Sequence, residues 1–554
     1  MRLANGVALT LAAVAVGGCA QDKATGPGAL ASCAAGLSPV ALSVGAYATY
    51  DPAASGGCIA FAANVSTTDS AEYLLVLLST GGNPGDSAAF TLGSATAAGI
   101  TAVASVPLAA APRPRASAAA SFDRFLRGVE RNPRVLAALR PGAFLAPPAS
   151  SAPQRVTPPV VSSLRSFTVC ANINCSSMKT ITAAVRSVGA HVAIYVDTLA
   201  PAGGLAAADI DTLQQTFDTH VYAVDTTAFG REPDIDSNGV VIALLTGAVN
   251  ALVSKASCDT AGYVQGFFFP PDLDPAYASS YNHGEIFYAL VPDPLATLSC
   301  AHTVAEVMGE LPPTFLHEFE HMINFNQHVR VHGAGPEDDW LDEALAKYAE
   351  ELGGRSWLPV DSQQFSDYAI GDVFNADDYL SAPEKHFLLT TTDQSLADVG
   401  AGWLFVRFVV DQFGAGITRQ LVQTGATGTS NVALQTGQPF QATVTRWALA
   451  DWVSDLPSFT APPELQYTSW HFRRTYGSLH LQDPADFPLA YPLVPVQTSA
   501  DSPVSLSGYL RAGSGAYLRV LQGPGSAGVA FALNAGLAAV PAGLGTRFAV
   551  VRIR

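Results

Sequence analysis

Residues 314–352 read TFLHEFEHMINFNQHVRVHGAGPEDDWLDEALAKYAEEL. The stretch contains His317-Glu318-Phe319-Glu320-His321, a match to H-E-x-x-H. On a helix, side chains four positions apart share a face, so His317 and His321 project together. Two neutral imidazoles one turn apart can hold a single Zn²⁺, and Glu318 beside them can take a proton from water at the metal. The competing reading is a surface helix with two solvated histidines. Phe315, Leu316, Phe319, Met322, Ile323 and Phe325 count against it, because they leave no wide polar face. A buried helix carrying two His and two Glu needs its charge compensated, and a metal does that.

A third ligand separates the subclasses of such sites. The pattern H-E-x-x-H-x-x-G-x-x-H requires Gly at 324 and His at 327, where this chain has Asn324 and Gln327. His328 and His332 stand nearby as decoys. The better candidate is Glu343, 22 positions after His321 (343 − 321). Pro336-Glu337-Asp338-Asp339 suits a helix N-terminus. Trp340, Leu341, Ala344, Leu345, Tyr348 and Leu352 then recur at helical spacing. Two helices joined by a loop around 328–337 can pack antiparallel and bring Glu343 to the two histidines. Two His and one Glu leave a fourth position open, as in catalytic rather than structural zinc sites.

H-E-x-x-H followed about twenty residues later by Trp340-Leu341-Asp342-Glu343-Ala344 and Tyr348-Ala349-Glu350 resembles the gluzincin group, with its thermolysin-like catalytic core. The closer resemblance is to hyicolysin-like neutral zinc metallopeptidases. Phe229-Gly230-Arg231-Glu232-Pro233-Asp234-Ile235-Asp236, Glu285-Ile286-Phe287-Tyr288, Trp403-Leu404-Phe405, Asp411-Gln412-Phe413-Gly414 and Tyr467-Thr468-Ser469-Trp470 add to it. The likeness covers residues 185–475. That family usually has Asn-Glu-Gly at the ligand, where this chain has Asp342-Glu343-Ala344, and often Tyr-Gly where this chain has Val399-Gly400.

The resemblance implies a zincin-type core that hydrolyses peptide bonds with one zinc ion. His317, His321 and Glu343 would be the ligands and Glu318 the base, passing its proton on to the leaving amine. A donor to the developing oxyanion is also needed, and Tyr348, Tyr379, His386 and His471 are the candidates. The expected function is a zinc endopeptidase acting on a protein or peptide. An aminopeptidase with the same metal site is an alternative, weakened by the lack of a Gly-x-Met-x-Asn segment. A non-catalytic surface lipoprotein with a relic core is another, and the complete His317, Glu318, His321 and Glu343 set argues against it.

The chain has 554 residues, enough for several domains, and a net charge of −17. That charge argues against nucleic acid as a partner, because phosphate binding needs clustered Lys and Arg. Val7 to Val16 is an apolar run too short for a lasting membrane span. With the following Gly17-Gly18-Cys19 it reads as a signal peptide ending in a bacterial lipobox, with Cys19 acylated. The expectation is an exported protein, tied to the cell envelope through its N-terminal lipid. The other six cysteines are even in number and suit disulfides. Proximity favours Cys33–Cys58, Cys170–Cys175 and Cys258–Cys300.

The expected class is multidomain α+β, a metallopeptidase domain at 166–480 between two small β-sandwich-like domains. After the leader (1–19), residues 20–107 alternate short apolar runs with turns, and 481–554 return to that pattern. Residues 108–165, rich in Pro, Ala and Arg, read as a solvated linker with one amphipathic helix around Phe122, Phe125, Leu126 and Val129. His191–Val196, Val240–Leu245 and Glu285–Leu290 read as strands, one of them expected at the sheet edge beside the cleft. Asp234-Ile235-Asp236-Ser237-Asn238-Gly239 resembles the start of a calcium loop, but position twelve is Leu245 instead of Glu. It reads first as an Asx-rich turn, with Ca²⁺ as the secondary expectation.

Overall fold

The structure, a computed structural model, describes residues 37–96, 106–107, 118–139, 157–274, 280–534 and 542–554. Cys19 and Cys33 lie outside the described residues. Helices and three β-sheets make up the chain, in keeping with a multidomain α+β class.

In the first part of the chain the strands are β1 (Tyr47–Tyr50), β2 (Cys58–Phe61), β3 (Ala71–Leu78), β4 (Ser87–Thr96) and β5 (Val106–Pro107). The central part supplies β6 (Leu164–Cys170), β7 (Met178–Val188), β8 (Val192–Asp197), β9 (Val241–Leu245), β10 (Gly266–Phe268) and β11 (Ile286–Ala289). The last part supplies β12 (Val496–Thr498), β13 (Ser505–Arg511), β14 (Gly515–Gln522), β15 (Val529–Asn534) and β16 (Arg547–Arg552).

The two end regions do not form separate domains, contrary to the sequence expectation. Their strands interleave in two five-stranded sheets, ordered β1-β16-β3-β14-β12 and β2-β15-β4-β13-β5. The reason is visible in β3, which is apolar at almost every position. Leu75 and Leu77 face the core between the sheets, while Leu74, Val76 and Leu78 join the core of the helical body. A strand buried on both faces must lie inside a sheet, so β3 needs a neighbour on each side. β14 and β16 supply them, with Leu77 opposite Ala516 on one side and Phe548 on the other. The sandwich also docks onto the helices. Tyr517 donates to the Ala448 carbonyl at 3.0 Å and Ser514 to that of Pro383 at 2.6 Å.

The central sheet runs β10-β11-β9-β8-β7-β6, with parallel pairing only among β8, β9 and β11. Those three strands were the expected cleft-edge candidates, and all three are interior. The edges are β6 and the three-residue β10, which carries too little pattern to stand out in the sequence. Across the sheet lies the motif helix, Val304–Phe325, started by a capping box between Thr303 and Glu306. Phe315 meets Phe287 of β11 edge-on at 4.2 Å. Pro312 and Pro313 lie inside this helix. Burial of Leu311, Phe315 and Leu316 holds it across the two missing N–H groups.

The ligand helix, Asp339–Trp357, returns antiparallel to the motif helix, as the spacing predicts. The two approach closely at Gly353, where a Cβ would fall 2.0 Å from Leu316 Cδ1. Helices Ser362–Ser381 and Leu396–Phe413 complete the bundle. Residues 118–139 are not a solvated linker. They form helices Ala118–Glu130 and Pro133–Leu139, and Phe122, Leu126 and Val135 are buried in the main core. The Cys170–Cys175 and Cys258–Cys300 disulfides form as expected. Cys58 is disulfide-bonded, and its expected partner lies outside the described residues.

Removing residues 496–554 should strand the N-terminal half of the sandwich, because β3 and β4 would lose their neighbours. Limited proteolysis should then cleave within 47–96, which stays protected in the intact chain. Equal protection in both would mean that the N-terminal strands fold on their own.

Candidate metal centre

His317 and His321 face each other across one helical turn, with Nε2 atoms 3.1 Å apart. Glu343 Oε2 lies 3.7 Å from each of them. The three predicted ligands thus converge, and their donor atoms form one compact group. Two nitrogens bound at ~2.0–2.1 Å to one tetrahedral zinc would stand about 3.3 Å apart, close to what is seen.

The opposite ring atoms explain why this arrangement favours a cation. His317 Nδ1 lies 2.8 Å from Glu350 Oε1, and His321 Nδ1 lies 3.1 Å from Asp342 Oδ2. A carboxylate only accepts, so each Nδ1 must carry the proton. The two Nε2 atoms, 3.1 Å apart, face each other and are left for a shared positive centre, a proton or a metal ion. Burial opposes a charge on His321, but Asp342 outweighs it and raises its pKa well above the usual histidine value. Carboxylates holding the far side of metal-binding histidines fix tautomer and orientation in this way.

The surrounding charge agrees. Burial opposes ionisation of Glu343, but the two imidazoles and Lys347 outweigh it and hold its carboxyl well below the usual range. Burial opposes ionisation of Asp342 too, and His321 and Arg127 pull its carboxyl down to about 2. Both acids therefore stay ionised around the two rings.

Glu318, the expected base, is 8% exposed and accepts the Phe268 N–H of β10 at 2.8 Å. This bond ties its carboxylate to the edge strand. Glu320, the other acid of the motif, points into the core near Asp225, and burial pushes both carboxyls well up. Glu320, His321 and Asp342 also converge, around His321 Nδ1. Arg127 already occupies Asp342 there, so that grouping suits a cation poorly.

Sequence reasoning missed the supporting residues. Glu350 lies seven positions after Glu343, two turns along the same face, and Lys347 lies between them, 2.8 Å from Glu350. That i, i+4, i+7 spacing was the available signal. Asp342 stands where the resembled family usually has Asn. Arg127 had no local signal, because it comes from the presumed linker. It binds Asp342, and Glu130 at 2.8 Å and Asp123 at 3.1 Å share its charge. The same helix packs Phe122 edge-on against Phe267 of β10 at 4.8 Å.

Each of the four candidate oxyanion donors has a polar neighbour of its own, and Tyr348, which only accepts in its contact, keeps its O–H to donate. Tyr348 OH accepts from Arg407, and Tyr379 OH meets Ser514 of the sandwich. His386 lies beside Ser395 and Asp398, and the half-exposed His471 pairs with Asp455. The decoy His328 is buried 3.8 Å from Glu337, and His332 bonds the Gln327 carbonyl. No family model matches the chain, and no curated protein matches it either.

Glu343→Ala should lower zinc occupancy. Asp342→Asn should weaken zinc binding by about 10–100-fold, the usual loss when a residue that orients a ligand is changed. His332→Ala should leave occupancy unchanged. Metal analysis after dialysis against a competing chelator checks all three. Wild-type affinity in Glu343→Ala would remove that residue from the site.

Proposed function

We propose that the protein is a zinc-dependent endopeptidase, with a thermolysin-like arrangement of His317, His321 and Glu343 around one metal ion. The observation that carries this reading is the convergence of His317 Nε2, His321 Nε2 and Glu343 Oε2, with a carboxylate behind each ring. The donor set of two imidazoles and one carboxylate suits zinc and leaves room for water and substrate.

A bound zinc ion would supply Lewis acidity, acidifying the attacking water and polarising the scissile carbonyl. Glu318 takes the water's proton as attack proceeds and returns it to the leaving amine. Its bond to the Phe268 N–H holds the receiving oxygen beside the edge strand. An extended peptide can lie along β10, held by backbone hydrogen bonds that do not depend on side-chain identity. That mode of holding favours cleavage within a chain over removal of a terminal residue.

Export and lipid attachment at Cys19 belong to the same proposal and rest on the apolar run 7–16 and the Gly17-Gly18-Cys19 ending. Among the described residues no helix is long and apolar enough to cross a membrane.

Glu318→Gln should keep its zinc and lose activity on casein by a factor of about a hundred to ten thousand, the range for removing a general base. The wild type should lose activity to a chelator and regain it with Zn²⁺. Zinc-replete Glu318→Gln with substantial proteolysis would refute the assigned base. Activity only on amino-acid arylamides would make the protein an aminopeptidase.

A further inference from the structure

Away from the metal centre, the loop at 234–239 has the first half of a calcium-binding loop. Asp234, Asp236 and Asn238 occupy positions one, three and five, and Gly239 follows at φ +74°. Position twelve, which should close the site with a carboxylate, is Leu245, buried in β9. The loop enters β9 at once, so its own chain cannot curl back.

The neighbouring strand supplies what the loop lacks. β11 pairs with β9 in parallel, and Ile242 N–H donates to the Glu285 carbonyl at 2.7 Å. That register puts Glu285, one residue ahead of β11, at the mouth of the loop. Glu285 is 1% exposed. Its Oε1 accepts the Ile235 N–H at 2.7 Å, between the two aspartates, and its Oε2 is buried with no hydrogen-bond partner. Oxygen atoms of Asp234, Asp236 and Glu285 lie within 4.8 Å of one another. Leaving a buried carboxylate oxygen unpaired is costly, and here it is left within a group of acids.

We propose that Asp234, Asp236 and Glu285 form a Ca²⁺ site, in which a calcium half-loop is closed by a glutamate from the adjacent strand. The donors are all oxygen, the class that selects Ca²⁺ over Zn²⁺. Arg165 Nη1 stands 3.7 Å from Asp236 Oδ2 and competes for it. Arg330 feels the fields of Glu285 and Asp274. Burial pushes the Glu285 carboxyl up to about 8, with Asp236 and Asp234 adding to it, and a cation held between the three carboxyls would relieve that crowding. Asp236 accepts from both the backbone and side-chain nitrogens of Asn238, yet each carboxylate oxygen keeps a free lone pair.

The site would brace the approach to the metal centre. Just upstream, the Arg231 carbonyl accepts from Asn326 and Gln327, which extend the motif helix. Calcium therefore stiffens the segment abutting that helix, whether or not the protein is a peptidase.

The test uses the full chain, zinc-loaded, with Glu318→Gln to prevent self-cleavage. Tb³⁺ titration followed by luminescence has a sensitiser in Tyr195, which lies in the fields of Arg165 and Asp236. One Tb³⁺ should bind, Ca²⁺ should displace it, and Ca²⁺ should raise the melting temperature. Glu285→Gln and Asp234→Asn should each weaken binding by about tenfold or more, because each removes a ligand charge. Asp234 is exposed, so its variant folds even if Glu285→Gln does not. Absence of binding at millimolar Ca²⁺, or wild-type binding by Asp234→Asn, would overturn the proposal.

Discussion

The fold depends on pinning two imidazoles from behind. Asp342 and Glu350 hold the Nδ1 atoms of His321 and His317, and both acids are largely buried. A buried carboxylate is tolerated only when paired, and removing one partner of a buried pair costs about 3–5 kcal/mol. Each acid accordingly has a cation of its own, Arg127 for Asp342 and Lys347 for Glu350. At the next position, Glu351 is met by Arg407 at 3.1 Å and by the indole N–H groups of Trp403 and Trp470. The ligand helix can enter the core because its ionised groups are answered, some along the helix itself, as Lys347 by Glu350, and others from neighbouring elements, as Asp342 by Arg127. Those answers fix where the neighbours must sit.

This explains why chain far from the motif belongs to the same body. Arg127 comes from more than two hundred residues before Asp342 in the sequence, and its helix could not leave without exposing an unpaired acid. Arg131 repeats the arrangement one turn later, binding Asp339 and the Glu337 carbonyl at the start of the ligand helix. The sandwich is tied in by a different force. Leu74, Val76 and Leu78 present an apolar face to the helices, and the polar contacts of Ser514 and Tyr517 set its orientation. Strands from both ends of the chain must meet to build it, so it cannot assemble until the whole chain is available.

The parts legible in the sequence were those whose signal is local. His317 and His321 follow from helical period alone, and Glu343 follows from the same period on a second helix. The Asp339–Trp357 helix, and strands β8, β9 and β11, could be read from apolar spacing. What escaped depends on partners distant in sequence. The apolar runs of 20–107 and 481–554 were legible as β-structure, but their partners were not, since pairing leaves no mark on a single strand. The apolar run Leu74–Leu78 did carry a warning, because a strand with one wet face alternates. The helix around Phe122 was legible from its apolar spacing, but the Pro- and Ala-rich composition around it hid that the helix is packed into the core and that its Arg127 answers Asp342.

The edge strand shows how little sequence a functional feature can need. Gly266, Phe267 and Phe268 form the shortest strand of the central sheet, yet the Phe268 N–H is the group that holds Glu318. Gly266 permits the approach, because a Cβ there would fall 2.8 Å from the Tyr288 carbonyl and 2.9 Å from Thr314 on the motif helix. A larger residue would push the strand off the helix and carry the Phe268 N–H away from Glu318. Thr314 lies one turn before Glu318, so the contact that sets the strand's height over the helix lies beside the bond that aims the Glu318 carboxylate. The position of that carboxylate is thus decided by the absence of a side chain at 266, on an element too short for any periodicity to reveal.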